Sequence, residues 1–446
     1  MSASRQFLVA SGLAADANVL PRHPADAASW VWHPDGALGQ TAFLRFVLEF
    51  ELTEPAVAQR LHVTADQRFQ LRLDGEVVGH GPDRSEVENW SVATYELTLG
   101  AGTHRIEALV WWLRDDTVAG ATNATLKPPV AQATWRGGFL LAGENEFAER
   151  MNTGRAPWRV EDLTAAVHIV RPAFYAYHDI GPEFHVDGML WNAAARPVPV
   201  AVIAAAILGN PHGVQRPGWR LQPTTLPEQS RTAVTGGRVR ALSNAWTDGP
   251  FSELGESTVT SDGWHDLISG RGELVVPPHS EQTLLWDFED YVCGSATLTT
   301  TGGHGSRVRT DWAEALHESA TRGAVTKDTP KGHRGEIEGK LFYGFGDEFL
   351  ASEGDAHFPA WWWRAGRYLR VQVRTADAAL TIRALTITAT GYTLGEATRF
   401  ASEDPALNEI AARCEKKRFV PVRTRCGRIV LTTNRWLMSA TVGWRD

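Results

Sequence analysis

The sequence predicts a mainly β protein: two antiparallel β-sandwich (jelly-roll-like) domains, followed by the first turns of a helix near residue 401. Three observations predict it. Apolar and polar residues alternate at period two over short runs, as half-buried strands require. Asp, Asn, Gly and Pro punctuate those runs, the pattern of sandwiches and jelly rolls. The class then changes: Leu407, Ile410 and Cys414 recur at helical spacing behind Asp404-Pro405, an N-cap followed by proline in the first turn.

The elements follow in order. From Trp30 to about Val110, Phe43, Arg45, Val47 and Glu49 alternate with Leu44, Phe46, Leu48 and Phe50. Phe69, Leu71 and Leu73 line one strand face, and Asp74-Gly75 predicts a tight hairpin into Val77 and Val78. Leu97, Leu99, Gly100 and Gly102 precede a strand over Ile106–Val110. Residues 111–165 are looser, with a loop at Asn123, Lys127, Pro128 and Pro129 and a short strand over Gly138–Leu141. Glu161-Asp162-Leu163-Thr164 suits the start of a brief helix, and Val198–Ile207 is apolar enough for a buried strand. These elements place the first domain at 1–220.

The second domain is placed at 221–400. Its expected strands are Leu274–Pro278, Thr283–Phe288, Val308–Trp312, Arg367–Val373 and Leu380–Thr388, with a turn over Thr301–Gly305. The polar, Gly- and Lys-rich stretch 317–340 reads as a long loop. Residues 401–417 form the helical segment, and 418–446 read as a disordered tail.

Composition bounds the function. With 446 residues, 43% apolar and 22% charged, the chain has room for two or three cores and is neither collagen, coiled coil nor wholly disordered. Its 44 basic and 52 acidic residues give a net charge of -8, which argues against nucleic acid and anionic membranes as partners. Cys293, Cys414 and Cys426 form neither a disulfide framework nor a zinc pattern. The sparse cysteines, a poor match to a signal peptide and the lack of any run near ~20 apolar residues place the protein in the cytoplasm. The 15 His show no HExxH spacing, and there is no G-x-S-x-G elbow or P-loop, so neither metal nor cofactor is expected.

The 18 Trp outnumber the 7 Tyr. Indoles offer flat apolar faces that suit sugar rings, although core packing is the commoner fate of a large aromatic. The sugar-binding candidates are Trp90, Trp111, Trp112, Trp361, Trp362 and Trp363. On a strand, Trp361 and Trp363 would face one side and Trp362 the other.

Several segments resemble the α-L-rhamnosidases of glycoside hydrolase family 78. Leu61-His62-Val63-Thr64-Ala65-Asp66 and Leu73 through Pro82 are similar to a strand and hairpin of that family's first sandwich. Trp219-Arg220-Leu221 with Leu226-Pro227 resembles the entry to its second. Gly303-His304-Gly305 with Thr310-Asp311-Trp312-Ala313-Glu314-Ala315-Leu316 resembles a G-G-x-G…Y-x-E-x-L stretch, and Pro359 through Tyr368 a P-x-x-x-R-Y strand. Glu403 through Ile410 is similar to the first helix of the catalytic (α/α) barrel. The resemblance covers roughly residues 30–417. It implies two non-catalytic β-sandwiches, a rhamnose-containing glycoside or oligosaccharide as partner, and inverting hydrolysis of terminal α-L-rhamnose by the intact family enzyme.

After Lys417 the pattern stops. The family's helix soon reaches an acid loop of the form D-C-P-x-x-E-Q or D-C-P-x-R-D-E-R, which is missing here. Residues 418–446 carry +5, against -13 for the 417 before them. Arg428 through Arg435 can be encoded CGG ATT GTC CTT ACT ACG AAC AGA, and reading from the third base gives GAT TGT CCT TAC TAC GAA CAG, or D-C-P-Y-Y-E-Q. Permitted codons extend such a reading from Arg418 to Trp444. The expectation is a shifted reading frame near Lys417–Arg418 and a truncated catalytic region.

Inverting hydrolysis needs two carboxyl groups about 6.5–9.5 Å apart, one to protonate the leaving oxygen and one to activate water. The resemblance places both on the barrel, so no catalytic residue is assigned and the chain is expected to be inactive. Asp311 with Glu314, Asp347 with Glu348, and Glu336 with Glu338 are the retained pairs by spacing; acids on β domains are usually solvated surface. The apolar helix start should be exposed and favour self-association. The alternative is a stand-alone carbohydrate-binding β-sandwich protein, in which Leu407, Ile410 and Cys414 pack on a sandwich.

Overall fold

The structure, a computed structural model, describes residues 4–9, 23–83, 85, 89–114, 136–170, 182–193, 196–204, 207–209, 215–254, 262–318, 329–393 and 401–411. The chain is mainly β. Its first strands are β1 (Ser4–Leu8), β2 (Val31–Trp32), β3 (Ala42–Leu52), β4 (Ala56–Asp66), β5 (Arg68–Leu73), β6 (Glu76–Gly81), β7 (Trp90–Leu99), β8 (Gly102–Trp112), β9 (Gly138–Gly143) and β10 (Arg159–Asp162). There follow β11 (Val167–Val170), β12 (Glu183–Asp187), β13 (Val198–Pro199), β14 (Ala201–Val202), β15 (Ile207–Gly209), β16 (Gln215–Pro217), β17 (Leu221–Pro223), β18 (Ser230–Ala233) and β19 (Arg238–Ser243). The last are β20 (Leu274–Val276), β21 (Glu281–Gly302), β22 (Arg307–Ala313), β23 (Phe345–Leu350), β24 (Asp355–Phe358), β25 (Arg364–Arg374) and β26 (Leu380–Gly391). Short helices are α1 (Phe147–Met151), α2 (Gly188–Asn192) and α3 (Asp262–Ile268), and residues 405–411 are also helical.

The described residues fall into two units, 4–165 with 196–228 and 166–193 with 229–411. In the first, a seven-stranded sheet (β1-β7-β4-β9-β2-β14, with β17 on β7) and a six-stranded sheet (β13-β10-β3-β8-β5-β6) share one core. Period two explains that core. β3 sends Leu44, Phe46 and Leu48 into it, and its antiparallel partner β8 sends Ile106, Ala108, Val110 and Trp112. β4 supplies Leu61, Val63 and Ala65 and β9 supplies Phe139, whose ring lies 4.7 Å from that of Phe46. Each buried Val, Leu, Ile or Phe side chain among these contributes about 1.5–3 kcal/mol.

The expected hairpin forms, with Leu73 paired to Glu76 and a two-residue loop between β5 and β6. Asp74 and Gly75 both have positive φ, 51° and 84°, as the favoured two-residue turn demands. The Asp74 carboxylate also accepts the Arg105 N–H at 2.8 Å and bonds His104 Nδ1 at 2.7 Å, which ties the turn to β8.

In the second unit one sheet runs β11-β12-β23-β22-β25-β21-β26-β18, with β19 and β24 also on β21 and β20 on β26. β21 has 22 residues and an irregularity between Asp287 and Val292. Before it β21 pairs with β19, and beyond it with β26 and β24. All named pairs are antiparallel except β12–β23 and β17–β7.

Three local expectations are corrected. Glu161 and Asp162 end strand β10, held by the Arg45 Nε–Glu161 bond at 2.7 Å, and only Thr164–Ala166 make a helical (3-10) turn. Val198–Ile207 is not one buried strand: β13 and β14 join different sheets, and Val202 is 60% exposed. Pro197 and Pro199 lack the N–H that a continuous ladder needs. Residues 166–193 interrupt the first domain, because β12 pairs in parallel with β23 and the Phe184 N–H reaches Asp347 Oδ1 at 2.9 Å. The predicted loop at 123–129, Cys414, Cys426 and the tail lie outside the described residues.

Candidate functional site

The six candidate indoles occupy three places. Trp90 opens β7 and is fully buried, its Nε1–H donating to Thr64 Oγ1 at 2.9 Å. It belongs to a small core with Trp30 and Trp219, whose rings stack at 4.1 Å. Trp111 and Trp112 are neighbours on β8 and so point to opposite faces. Trp112 enters the sandwich core, whereas Trp111 is flanked on the outer face by Phe43 of β3 and Arg68 of β5.

Trp361, Trp362 and Trp363 precede β25 in irregular backbone, so strand alternation does not apply to them. Trp361 packs edge-on to Trp191 at 5.8 Å, and Trp362 leans on Trp363 at 5.9 Å. Five of the six are buried and present no open face; Trp363 is half-buried. A sugar ring needs an open face, and large aromatics reach the core first because they remove the most apolar area from water.

All but Glu336 of the acids that spacing pairs are held by donors. Asp311 is fully buried and takes Arg309 Nε at 3.0 and 2.9 Å and Arg370 Nη2 at 2.7 Å. Glu314 accepts Lys331 Nζ at 2.8 Å and lies 3.2 Å from Arg334 Nη1. Burial pushes the Glu314 pKa up, but its bonds and charge interactions with Lys331 and Arg334 outweigh that and bring it below the usual value. A general acid needs the opposite shift. Asp347 accepts Arg364 Nη2 at 2.7 Å, and Glu348 takes Arg307 Nη2 on both oxygens, at 2.7 and 2.8 Å. Glu338 accepts the Glu253 N–H at 3.0 Å, and Glu336 lies 3.8 Å from His333. These bonds cross-link strands and loops.

Two polar arrangements escaped sequence reasoning. At the irregularity of β21, Asp287 is fully buried and takes a fork from Arg367 at 2.7 and 2.9 Å, Arg240 Nη1 at 2.6 Å and the Glu289 N–H at 2.7 Å. Burial alone would raise its pKa; the bonds from Arg367, the Glu289 amide and Arg240 hold it low. The signal was a lone acid in the apolar run Leu284-Leu285-Trp286-Asp287-Phe288. On the outer face of the six-stranded sheet, register aligns Glu161, Arg45, Leu109, Gln70 and His80 in one row across five strands. Arg45 meets Glu161 and Gln70 meets His80 at 2.7 Å each. The alternation in β3 marked Arg45 as outward; its row needed the pairing order.

The helix start behaves as its residues dictate. Asp404 Oδ1 accepts the Ala406 N–H at 2.9 Å, and Ser402 and Asn408 exchange two bonds at 2.8 and 2.7 Å. Its apolar side is nonetheless exposed: Leu407 is 44% and Ile410 55% exposed. No described helix is long and apolar enough to cross a membrane.

No protein-family model and no curated protein matches the chain. Solved structures do. A GH78-family rhamnosidase of Bacillus sp. GL1 matches with a TM-score of 0.54 at 13% identity, over 85% of this chain and 57% of that one. The fold is rhamnosidase-like. The α-L-rhamnosidase of Aspergillus terreus matches at a TM-score of 0.43 and 14% identity, over 87% of this chain and 39% of that one. A Pleurotus ostreatus lectin, solved with GalNAc, matches at 0.24 and 10% identity, over 85% and 84%. The chain thus spans a little over half the length of the Bacillus rhamnosidase.

Proposed function

We propose that this chain is the non-catalytic β region of an α-L-rhamnosidase-like glycoside hydrolase, whose family reaction is inverting hydrolysis of terminal α-L-rhamnose. The observation that carries this reading is the capped helix after two β units, with Leu407 and Ile410 facing solvent. An apolar helix face of this kind is made to be covered. A shifted frame near Lys417 would supply the cover, since permitted codons for residues 428–435 read D-C-P-Y-Y-E-Q from the third base. On this reading the chain releases no rhamnose, its sugar partner is a rhamnose-containing glycoside, its compartment is the cytoplasm, and its exposed helix drives self-association. A stand-alone carbohydrate-binding protein would pack Leu407 and Ile410 on a sandwich, and their exposure favours the hydrolase reading.

The test is to sequence the gene across codon 417 and express it in both frames. With an aryl α-L-rhamnoside, the restored-frame protein should release phenol and the present chain should not. Turnover by the present chain, or downstream sequence without a helical domain, would end the reading.

A further inference from the structure

Among the described Trp residues only Trp246 and Trp363 are not buried. Trp246 lies in the irregular segment 244–250 of the second unit, and that segment is pinned. The Thr247 carbonyl accepts Gln372 Nε2 at 2.9 Å, and the Ala245 carbonyl accepts Thr283 Oγ1 at 2.6 Å. The Trp246 N–H donates to Glu281 Oε2 at 2.9 Å, while the other oxygen of Glu281 takes Arg374 Nε at 2.7 Å.

Two guanidiniums flank the indole. The Arg374 guanidinium lies 5.0 Å and that of Arg307 5.7 Å from the ring centroid. These arginines are cross-strand partners on β25 and β22, so they approach the ring side by side from the sheet. Glu348 fixes Arg307 in turn. A half-exposed indole, two half-exposed guanidiniums and two carboxylates are thus ordered together at the surface. Ordering long side chains there costs rotamer entropy and gains little net stability, since exposed ion pairs contribute little. An aromatic platform ringed by planar donors and acceptors is the chemistry that recognises a saccharide: the C–H face of a pyranose stacks on the ring, and its hydroxyls meet the rim.

We propose that Trp246 is the platform of a carbohydrate-binding site, with Arg307, Arg374, Glu281 and Glu348 as its rim and a neutral pyranoside as its ligand. Two cations balance two anions, so an added sugar carboxylate gains no net charge partner. The site goes beyond the hydrolase reading, which names a glycoside partner but no residues that hold it, and its test is independent of hydrolysis.

The test is a saccharide titration of the full chain, followed by indole N–H resonances and Trp fluorescence. The panel is the methyl glycosides of L-rhamnose, D-glucose and D-galactose, with sodium glucuronate as the charged arm. At least one neutral glycoside should give a saturable response that Trp246→Ala weakens about tenfold or more, about 1.4 kcal/mol. Trp246→Tyr should keep most of it, and Trp363→Ala all of it. If Trp246→Ala does not fold, Trp246→Leu removes the flat aromatic face while keeping an apolar side chain. No saturable response to any neutral glycoside, a response that survives loss of the Trp246 ring, or tighter binding of glucuronate would overturn the assignment.

Discussion

Asp287 carries two guanidiniums at the point where β21 changes partners, and the side chain of Arg240 is itself 4% exposed. Removing one charge of a buried pair strands the other, which costs about 3–5 kcal/mol. Asp287→Asn should therefore lower the unfolding free energy of the second unit by about that amount, read as a lower denaturant midpoint. His23 and His62 set a second residue-scale expectation. Their rings meet edge-on at 5.1 Å; His62 also bonds Thr94 and Glu144 at 2.9 Å each, and Arg60 adds a positive charge on the same strand. Burial, then the charge of His62, lowers the His23 pKa to about 4. Burial lowers that of His62 too, against the pull of Glu144. A histidine whose folded pKa lies below its unfolded value near 6.5 binds more protons unfolded. Its stabilisation is present above about pH 6.5 and is lost as pH falls toward about 4, roughly 3 kcal/mol for His23 alone. His23→Asn removes the proton and keeps a cap for the Ala25 N–H, now held by His23 Nδ1 at 3.1 Å. The variant should lose less stability than the parent between pH 7 and 4.5 in urea titrations; equal losses would contradict the assignment.

At the scale of elements, period two and turn chemistry made most strands legible. β3, β5, β8, β22 and β25 lie where alternation puts them, and the Asp74-Gly75 turn follows from the need for positive φ. What was not legible depends on partners distant in sequence. β11 and β12 read as part of the first domain because nothing local announces a parallel pairing with β23, over 150 residues away. The indoles show the same limit: composition marks them as ring-binding side chains, but burial depends on which strand lies opposite. Trp246 gives no such signal, because it stands alone among turn-forming residues, without an alternating run. Close backbone approach is equally invisible. A Cβ on Gly346 would stand 1.6 Å from the Thr310 carbonyl oxygen of the paired strand β22. Gly346→Ala must part β22 from β23 and should cost about 1–3 kcal/mol or more in thermal or chemical unfolding. The cap at Asp404 makes the contrasting case. Asp404→Ala removes about 1 kcal/mol from a helix whose apolar residues are exposed. Faster hydrogen exchange over 405–411 with an unchanged melting temperature is the expected result.

For the whole molecule, the apolar residues that alternate along the strands are nearly all withdrawn from water, while those at helical spacing in 405–411 are not. That asymmetry has a consequence in solution. Leu407 and Ile410 lie one turn apart, so their side chains form one stripe rather than two scattered contacts. An exposed stripe of this kind can pair with another copy, and burying two such side chains at a shared interface recovers part of the roughly 1.5–3 kcal/mol each that exposure forfeits. The double variant Leu407→Lys with Ile410→Lys leaves the cap bonds of Asp404, Ser402 and Asn408 untouched and touches no strand. It should keep the circular dichroism spectrum and melting temperature of the parent while shifting sedimentation at high concentration toward monomer. If parent and variant associate equally, the association runs through another surface and the helix stripe is not its cause.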